Sequence, residues 1–502
     1  MATVAQKVLT EGSLNPLVLG CQYGVRGEIF QRAQELMRKG HQVTVTSTGN
    51  PHQLGQQPLT FLRQVMALCA APFLLDDQNA LAAFAPDAVE RARRYLTALD
   101  GGLGAYQDSK GNPIICREVC DFIAGRDGFR PSEENVFLTN GASEGVRLLL
   151  KSMIRDKQDG ILVPLPQYPL YSASIALYGG KLVGYHLDEE SGWGLSIVRM
   201  QEALDAARAE GTEVRAVVFI NPGNPTGQCL RKEQLQALVR FAHANRLVIL
   251  ADEVYQENVY GSVPFTSCHK ALCEMGAPYA SSQELVSFHS VSKGTAGECG
   301  IRGGYFHLHN VEEDVRAQLY KLVSINLSPS VPGMVAMGCY VNPPRPGDAS
   351  YEAHKKERAA LLGSLQRRAH AMSEAFNSVP GISCQPVDGA MYAFPRIRMP
   401  SRAVEVARRL GKSPDMLYCL ELLEKEHIAV TPGVSFRQED GTFHFRTTIL
   451  VPEARFDDLV MRFRRFHTSF MKRYADAPLA RLPKVADGDG AGLVVAAVMS
   501  KL

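Results

Sequence analysis

Lys293 stands in the run Ser287-Phe288-His289-Ser290-Val291-Ser292-Lys293-Gly294, nine residues ahead of Arg302. The preceding Glu284-Leu285-Val286-Ser287-Phe288 reads as a short buried strand, which places the lysine where a strand gives way to a loop. Sheets of the α/β kind keep their active sites at that edge. A lysine amine there can capture an aldehyde as an imine, and an arginine and a serine beside it can hold an attached phosphate. Ser290 and Arg302 both donate to phosphate oxygens, arginine as a planar fork. Alone, these residues read as an ordinary surface loop; the loops upstream give them weight.

Asn221-Pro222-Gly223-Asn224-Pro225-Thr226-Gly227 is a rigid turn that presents the amide of Asn224, and Asp252-Glu253-Val254-Tyr255 follows the strand pattern of residues 247–251. Pro166-Gln167-Tyr168-Pro169 holds an aromatic ring over the same rim. An aspartate at a strand end is often a helix cap and a single tyrosine is usually packing. Lysine, aspartate, tyrosine, asparagine, an aromatic plate and a serine–arginine pair at one sheet edge fit one cofactor, pyridoxal phosphate. Its aldehyde needs the lysine, its ring nitrogen needs the Asp252 anion to stay protonated, and its phenolic oxygen needs donors from Tyr255 and Asn224.

The elements that position these residues form a regular series. Strand patterns at 136–139, 160–163, 181–187, 214–220 and 247–251 alternate with helical patterns at 146–153, 170–178, 198–209 and 231–244. That alternation predicts an α/β fold with a mostly parallel sheet covered on both faces and right-handed crossovers. Asn140-Gly141-Ala142-Ser143 is a turn into a helix, whose first backbone amides bind anions, so Ala142 and Ser143 form a second half of a phosphate cup. Residues 25–39 repeat at helical spacing, and Val43-Thr44-Val45-Thr46 alternates as a strand. Glycines follow in the loop Gly49-Asn50-Pro51 and at Gly55, where a plain turn and close approach of a small substrate are both consistent with them. A charged helical pattern over 354–378 leads to strand-like 391–394 and 442–447 and to helices over 415–426 and 454–473.

Asn221–Gly227, Ala251–Tyr255 and Ser290–Gly294 resemble the defining blocks of fold-type I, class I/II aminotransferases. The longer run through Gly297-Glu298-Cys299-Gly300-Ile301-Arg302-Gly303-Gly304-Tyr305, with Val341-Asn342-Pro343-Pro344-Arg345-Pro346-Gly347-Asp348, resembles the alanine aminotransferase branch. The resemblance covers about residues 14–475 and implies transfer of an amino group between L-alanine and 2-oxoglutarate, giving pyruvate and L-glutamate by a ping-pong mechanism. It implies that Tyr168 stacks on the cofactor ring and that Ala142, Ser143, Ser290 and Arg302 hold the phosphate. It implies too that Arg446 grips the substrate α-carboxylate, and that Tyr106 reaches the phosphate of the neighbouring subunit in a homodimer with shared sites. Asn224 and Gly55 are the other candidate substrate contacts. A glutamate:glyoxylate aminotransferase of the same branch is the nearest alternative, and a lyase on the same fold a more distant one.

The domains expected are an N-terminal arm with part of a small domain (1–105), a large cofactor-binding domain (106–350), a small α+β domain (351–475) and a tail (476–502). The 502 residues carry 45% hydrophobic and 21% charged side chains and a net charge of +2, giving no reason to expect nucleic acid as a partner. No apolar run reaches the ~18 residues of a membrane span. Eleven cysteines without a C-x-x-C pair suggest reduced thiols. His307-Leu308-His309 places two imidazoles on one strand face with no third ligand in the neighbouring sequence, so no metal site is expected. Gly411-Lys412-Ser413 lacks the earlier glycine of a P-loop, and Asp487-Gly488-Asp489-Gly490 lacks the later ligands of a calcium loop. The final Ser500-Lys501-Leu502 matches the address read by the peroxisomal import receptor, and a peroxisome or related organelle is the expected location, with the cytoplasm as the alternative.

Overall fold

The computed structural model describes residues 7–23 and 27–475. Val25 and the tail 476–502 with its terminal Ser500-Lys501-Leu502 lie outside the described residues.

Seven strands form the central sheet, in the order Val136–Thr139, Gly304–His309, Leu285–Ser290, Val248–Asp252, Glu213–Ile220, Asp159–Leu165 and Lys181–His186. Only Gly304–His309 runs antiparallel to its neighbours. Most strand residues are buried because both faces are covered, polar ones such as Ser287, His289 and His307 among them. Their period of two splits the core: Leu162, Val217 and Ile249 pack into the cluster on one face, and Ile161, Val163, Val218 and Leu250 into the cluster on the other. Every crossover strand therefore delivers its carboxyl end to one rim.

A second layer is built on the helices Tyr351–Asn377, Pro414–Glu426 and Glu453–Arg473. They enclose a three-stranded sheet in which Phe445–Thr448 lies between Tyr392–Ala393 and Thr431–Pro432. The strand patterns at 391–394 and 442–447 thus shorten or shift, since each strand pairs over only a few residues before the backbone turns away. The N-terminal part joins both bodies. Thr44–Val45 pairs with Ile428–Ala429, and the helix Glu28–Arg38 buries Ile29, Ala33 and Leu36, one helical stripe, in the small layer's core. The helices Thr60–Ala70 and Pro86–Ala98 instead pack with Pro113–Asp127 and Val331–Val341 beside the large sheet. Within the segment 1–105, residues 28–45 therefore belong with the small layer and residues 60–98 with the large one. No described helix is long and apolar enough to cross a membrane.

Candidate active site

Lys293 follows the carboxyl end of the strand Leu285–Ser290, and its Nζ donates to the Gly49 carbonyl oxygen at 2.7 Å. It lines a cavity of about 350 Å³ together with Asp252, Tyr255 and Asn224. Ala142, Ser143, Tyr168, Ser290 and Arg302 line the same cavity. Nine of the residues singled out in the sequence thus converge on one space, although they come from five separate segments.

Asp252 ends the strand Val248–Asp252 and is buried. Its Oδ2 accepts from the Tyr171 hydroxyl at 3.0 Å, while its Oδ1 is buried without a hydrogen-bond partner. Burial pushes the carboxyl up to about 6, against the opposing pull of the Tyr171 hydrogen bond, the Val254 amide and the Lys293 charge. A buried carboxylate oxygen without a donor is costly to leave unpaired. A protonated heterocycle in the cavity would supply the missing donor.

An anion cradle lies at another wall. Arg302 adopts a left-handed backbone conformation (φ 65°), and its guanidinium donates to the Cys299 carbonyl at 2.8 Å, the Asn140 carbonyl at 2.9 Å and Ser143 Oγ at 3.3 Å. The helix Ala142–Met153 starts here and aims its unpaired first amides at the same spot. Gly141 is required in the turn: a Cβ there would stand 2.4 Å from Arg302 Nη2, at a φ of 83°. Ser292, part of the lysine run but assigned no role from the sequence, places its hydroxyl 3.4 Å from Arg302 Nη1, and Ser290 Oγ accepts from its amide at 3.3 Å.

Arg446 belongs to the small layer, on the strand Phe445–Thr448, and is 1% exposed. Its Nη1 donates to Asn224 Oδ1 at 3.0 Å and its Nη2 to the Ser47 carbonyl at 2.6 Å. The guanidinium carbon lies 4.1 Å from the Tyr392 ring centroid and 4.8 Å from that of Phe436, and Nε has no partner. Asn224, its oxygen occupied by Arg446, keeps its amide nitrogen for another acceptor. The Tyr255 and Tyr392 hydroxyls are hydrogen-bonded to each other; burial raises the Tyr255 phenol, whereas the Lys293 and Arg446 charges and this hydrogen bond hold the Tyr392 phenol below its usual value despite burial. Tyr168, at the start of the helix Pro169–Leu177, brings its hydroxyl to 3.4 Å from that of Tyr23.

Two candidates lie elsewhere. Gly55, in a left-handed conformation, lines a separate larger cleft of about 820 Å³ with Gln56 and Pro452. Tyr106 is 76% exposed and does not line the cavity of its own chain. Sequence reasoning placed Gly49 in a loop that could admit substrate but not its carbonyl against Lys293, and it missed Tyr171, Tyr392 and Ser47. Of these only Tyr171 left a signal, three residues beyond Tyr168 and so on the same helical face.

Comparison with known proteins accounts for this arrangement. The family model for aminotransferase class I and II matches residues 63–463. Glutamate–glyoxylate aminotransferase 2 of Arabidopsis thaliana is 50% identical, over 94% of this chain and 98% of its own length. Human alanine aminotransferase 1 is 46% identical over 93% of this chain and 96% of its own. Among solved structures, an alanine aminotransferase from Pyrococcus furiosus superposes with a TM-score of 0.73 at 22% identity, covering 91% of this chain and 100% of that one, and shows the same fold. The chain therefore belongs to the class I and II aminotransferases.

Proposed function

We propose that this chain is a pyridoxal-phosphate-dependent aminotransferase that moves the amino group of L-alanine to 2-oxoglutarate, giving pyruvate and L-glutamate by a ping-pong mechanism. The observation that carries the reading is the cavity in which the Lys293 amine, the unpaired Asp252 oxygen and the Arg302 cradle face one volume, with Arg446 of the other layer hydrogen-bonded to Asn224 in its wall. Bound there, pyridoxal phosphate would draw electron density from the α-carbon of an attached amino acid. Asp252 Oδ1 would accept from its ring nitrogen, Asn224 and Tyr255 would hold its phenolic oxygen, and Tyr168 would cover the ring. Ala142, Ser143, Ser290 and Arg302 hold the phosphate, with Tyr106 contributed by the second protomer of a homodimer. Arg446 fixes the α-carboxylate, which orients the α-hydrogen toward Lys293. The Lys293 amine would take up that proton and give it back as base and acid in turn. Movement of the small layer toward the sheet, with Arg446 on it, excludes water.

The names of the relatives support this branch and also favour a second reading, glyoxylate as acceptor with glutamate as donor. Steady-state turnover with L-alanine and L-glutamate as donors against 2-oxoglutarate, pyruvate and glyoxylate separates the two. The first reading expects the highest kcat/KM for alanine with 2-oxoglutarate; a preference for glyoxylate that alanine with 2-oxoglutarate does not match would replace it. Loss of the amino group without any 2-oxo acid would make the chain a lyase. The proposal extends to location: Ser500-Lys501-Leu502 would engage the peroxisomal import receptor, and a reporter ending in residues 476–502 should enter peroxisomes and stay cytoplasmic once Leu502 is removed.

A further inference from the structure

His309 sits at the end of the antiparallel strand Gly304–His309, paired with Leu285, and so at the amino ends of the parallel strands, across the sheet from Lys293. The fold supplies the ligands that its neighbouring sequence lacks. His269 and Cys273, one turn apart on the helix Cys268–Cys273, face His309, and the three ligand atoms lie within 4.8 Å of one another. We propose that His269, Cys273 and His309 form a binding site for a borderline divalent transition-metal ion, Zn²⁺ in the first instance.

The hydrogen bonds around the two imidazoles support this. His269 Nδ1 lies 2.9 Å from Asp127 Oδ2. Asp127 also accepts from the Arg126 guanidinium at 2.7 Å on each oxygen and from the Ser267 hydroxyl at 2.8 Å. An ionised carboxylate only accepts, so Nδ1 carries the proton and Nε2 keeps its lone pair. His309 Nε2 lies 3.2 Å from the Ala280 carbonyl oxygen, also an acceptor only, which leaves the lone pair on Nδ1. Each ring is thus fixed by an outer partner in the tautomer that frees its other nitrogen, the arrangement that orients metal-bound histidines. His307, on the same strand face, packs its ring 4.9 Å from that of His269 and has a buried Nδ1 without a partner.

The donor set selects the metal. Two imidazole nitrogens and a thiol suit zinc over magnesium or calcium, and three protein ligands leave a fourth position for water. Bond lengths of ~2.0–2.1 Å to nitrogen and ~2.3 Å to sulfur require ligand atoms about 3.3–3.6 Å apart, so the cluster must contract by about 1 Å. Cys273 and His309 are only partly buried, which gives the ion an entry path and their side chains room to turn. Binding would release the thiol proton to solvent and tie the helix Cys268–Cys273 to the sheet.

The test uses the holoenzyme after chelator treatment and gel filtration, titrated with Co²⁺ and then Zn²⁺ without substrate. Expected are about one Co²⁺ per chain with intense long-wavelength bands of tetrahedral cobalt, displacement by Zn²⁺, and loss of binding in Cys273→Ser and His309→Gln. Asp127→Asn should weaken binding ~10–100-fold. The Cys273→Ser variant should keep its cofactor and its turnover, which shows that it is folded. Absence of stoichiometric binding to wild type, or equal binding by wild type and the Cys273→Ser/His309→Gln double variant, would overturn the site.

Discussion

Asp252→Asn should make the cofactor-free protein more stable while nearly abolishing its activity. Burial raises the carboxyl from 3.8 to about 6, so the folded chain takes up a proton that the unfolded chain has released. A raised acid stabilises fully only below the unfolded value, and that contribution is lost as pH climbs through 6. Two pH units at 1.36 kcal/mol each make a penalty of about 3 kcal/mol at pH 8, roughly halved at pH 5 where the folded acid is mostly protonated. Asparagine removes this penalty but brings an amide nitrogen to a site whose neighbours, the Tyr171 hydroxyl and the Val254 amide, are both donors, which returns ~1 kcal/mol. The net expectation for the cofactor-free protein is ~2 kcal/mol of added stability at pH 8, falling to ~0.5 kcal/mol at pH 5. Turnover of the loaded variant should fall ~10²–10³-fold, the scale of losing one electrostatic contact to developing charge. Denaturant unfolding of both proteins at the two pH values, paired with steady-state rates, reads both effects. A variant no more stable than wild type at pH 8, or one that keeps its turnover, would refute the reasoning.

Other expectations follow from the same geometry. Arg446→Lys keeps the charge but loses the fork held between Asn224 and Ser47, so kcat/KM for the amino donor should drop ~10–100-fold, about 1.5–3 kcal/mol, with cofactor affinity unchanged; equal kcat/KM would show that the carboxylate binds elsewhere. Gly141→Ala places a methyl against Arg302 in a left-handed turn, and cofactor titration should show at least ~10-fold weaker binding from ~1–2 kcal/mol of backbone strain alone. Tyr171→Phe removes the hydroxyl that holds the Asp252 carboxyl down, so the acid limb of the pH–rate profile should move to higher pH, and an unmoved limb would count against a role for Asp252 ionisation.

Much of this site is legible in the sequence because its residues occupy loops after strands, and strand periodicity tells where those loops begin. Lys293, Asp252 and Asn224 each follow a buried run of β-branched or aromatic residues, so topology alone carries them to one rim. The groups that complete the site leave no such trace. Gly49 and Ser47 act through carbonyl oxygens, which every residue has, and Tyr392 sits on a two-residue strand too short for a pattern. The helix Val331–Val341 is buried along its whole length, so it has no polar face to reveal a helical period. Tyr106 is exposed and lies outside the cavity of its own chain, and the His269–Cys273–His309 cluster joins residues far apart in the chain that only the sheet's register brings together.

The central claim is that the Lys293 amine carries the cofactor. Borohydride reduction of the enzyme loaded with pyridoxal phosphate, followed by proteolysis and mass spectrometry, fixes the point of attachment. The account predicts a pyridoxyl-phosphate mass on the peptide containing Lys293 and no labelling of that peptide in Lys293→Ala. A label on a different lysine of the active wild-type enzyme, with Lys293 unmodified, would contradict it.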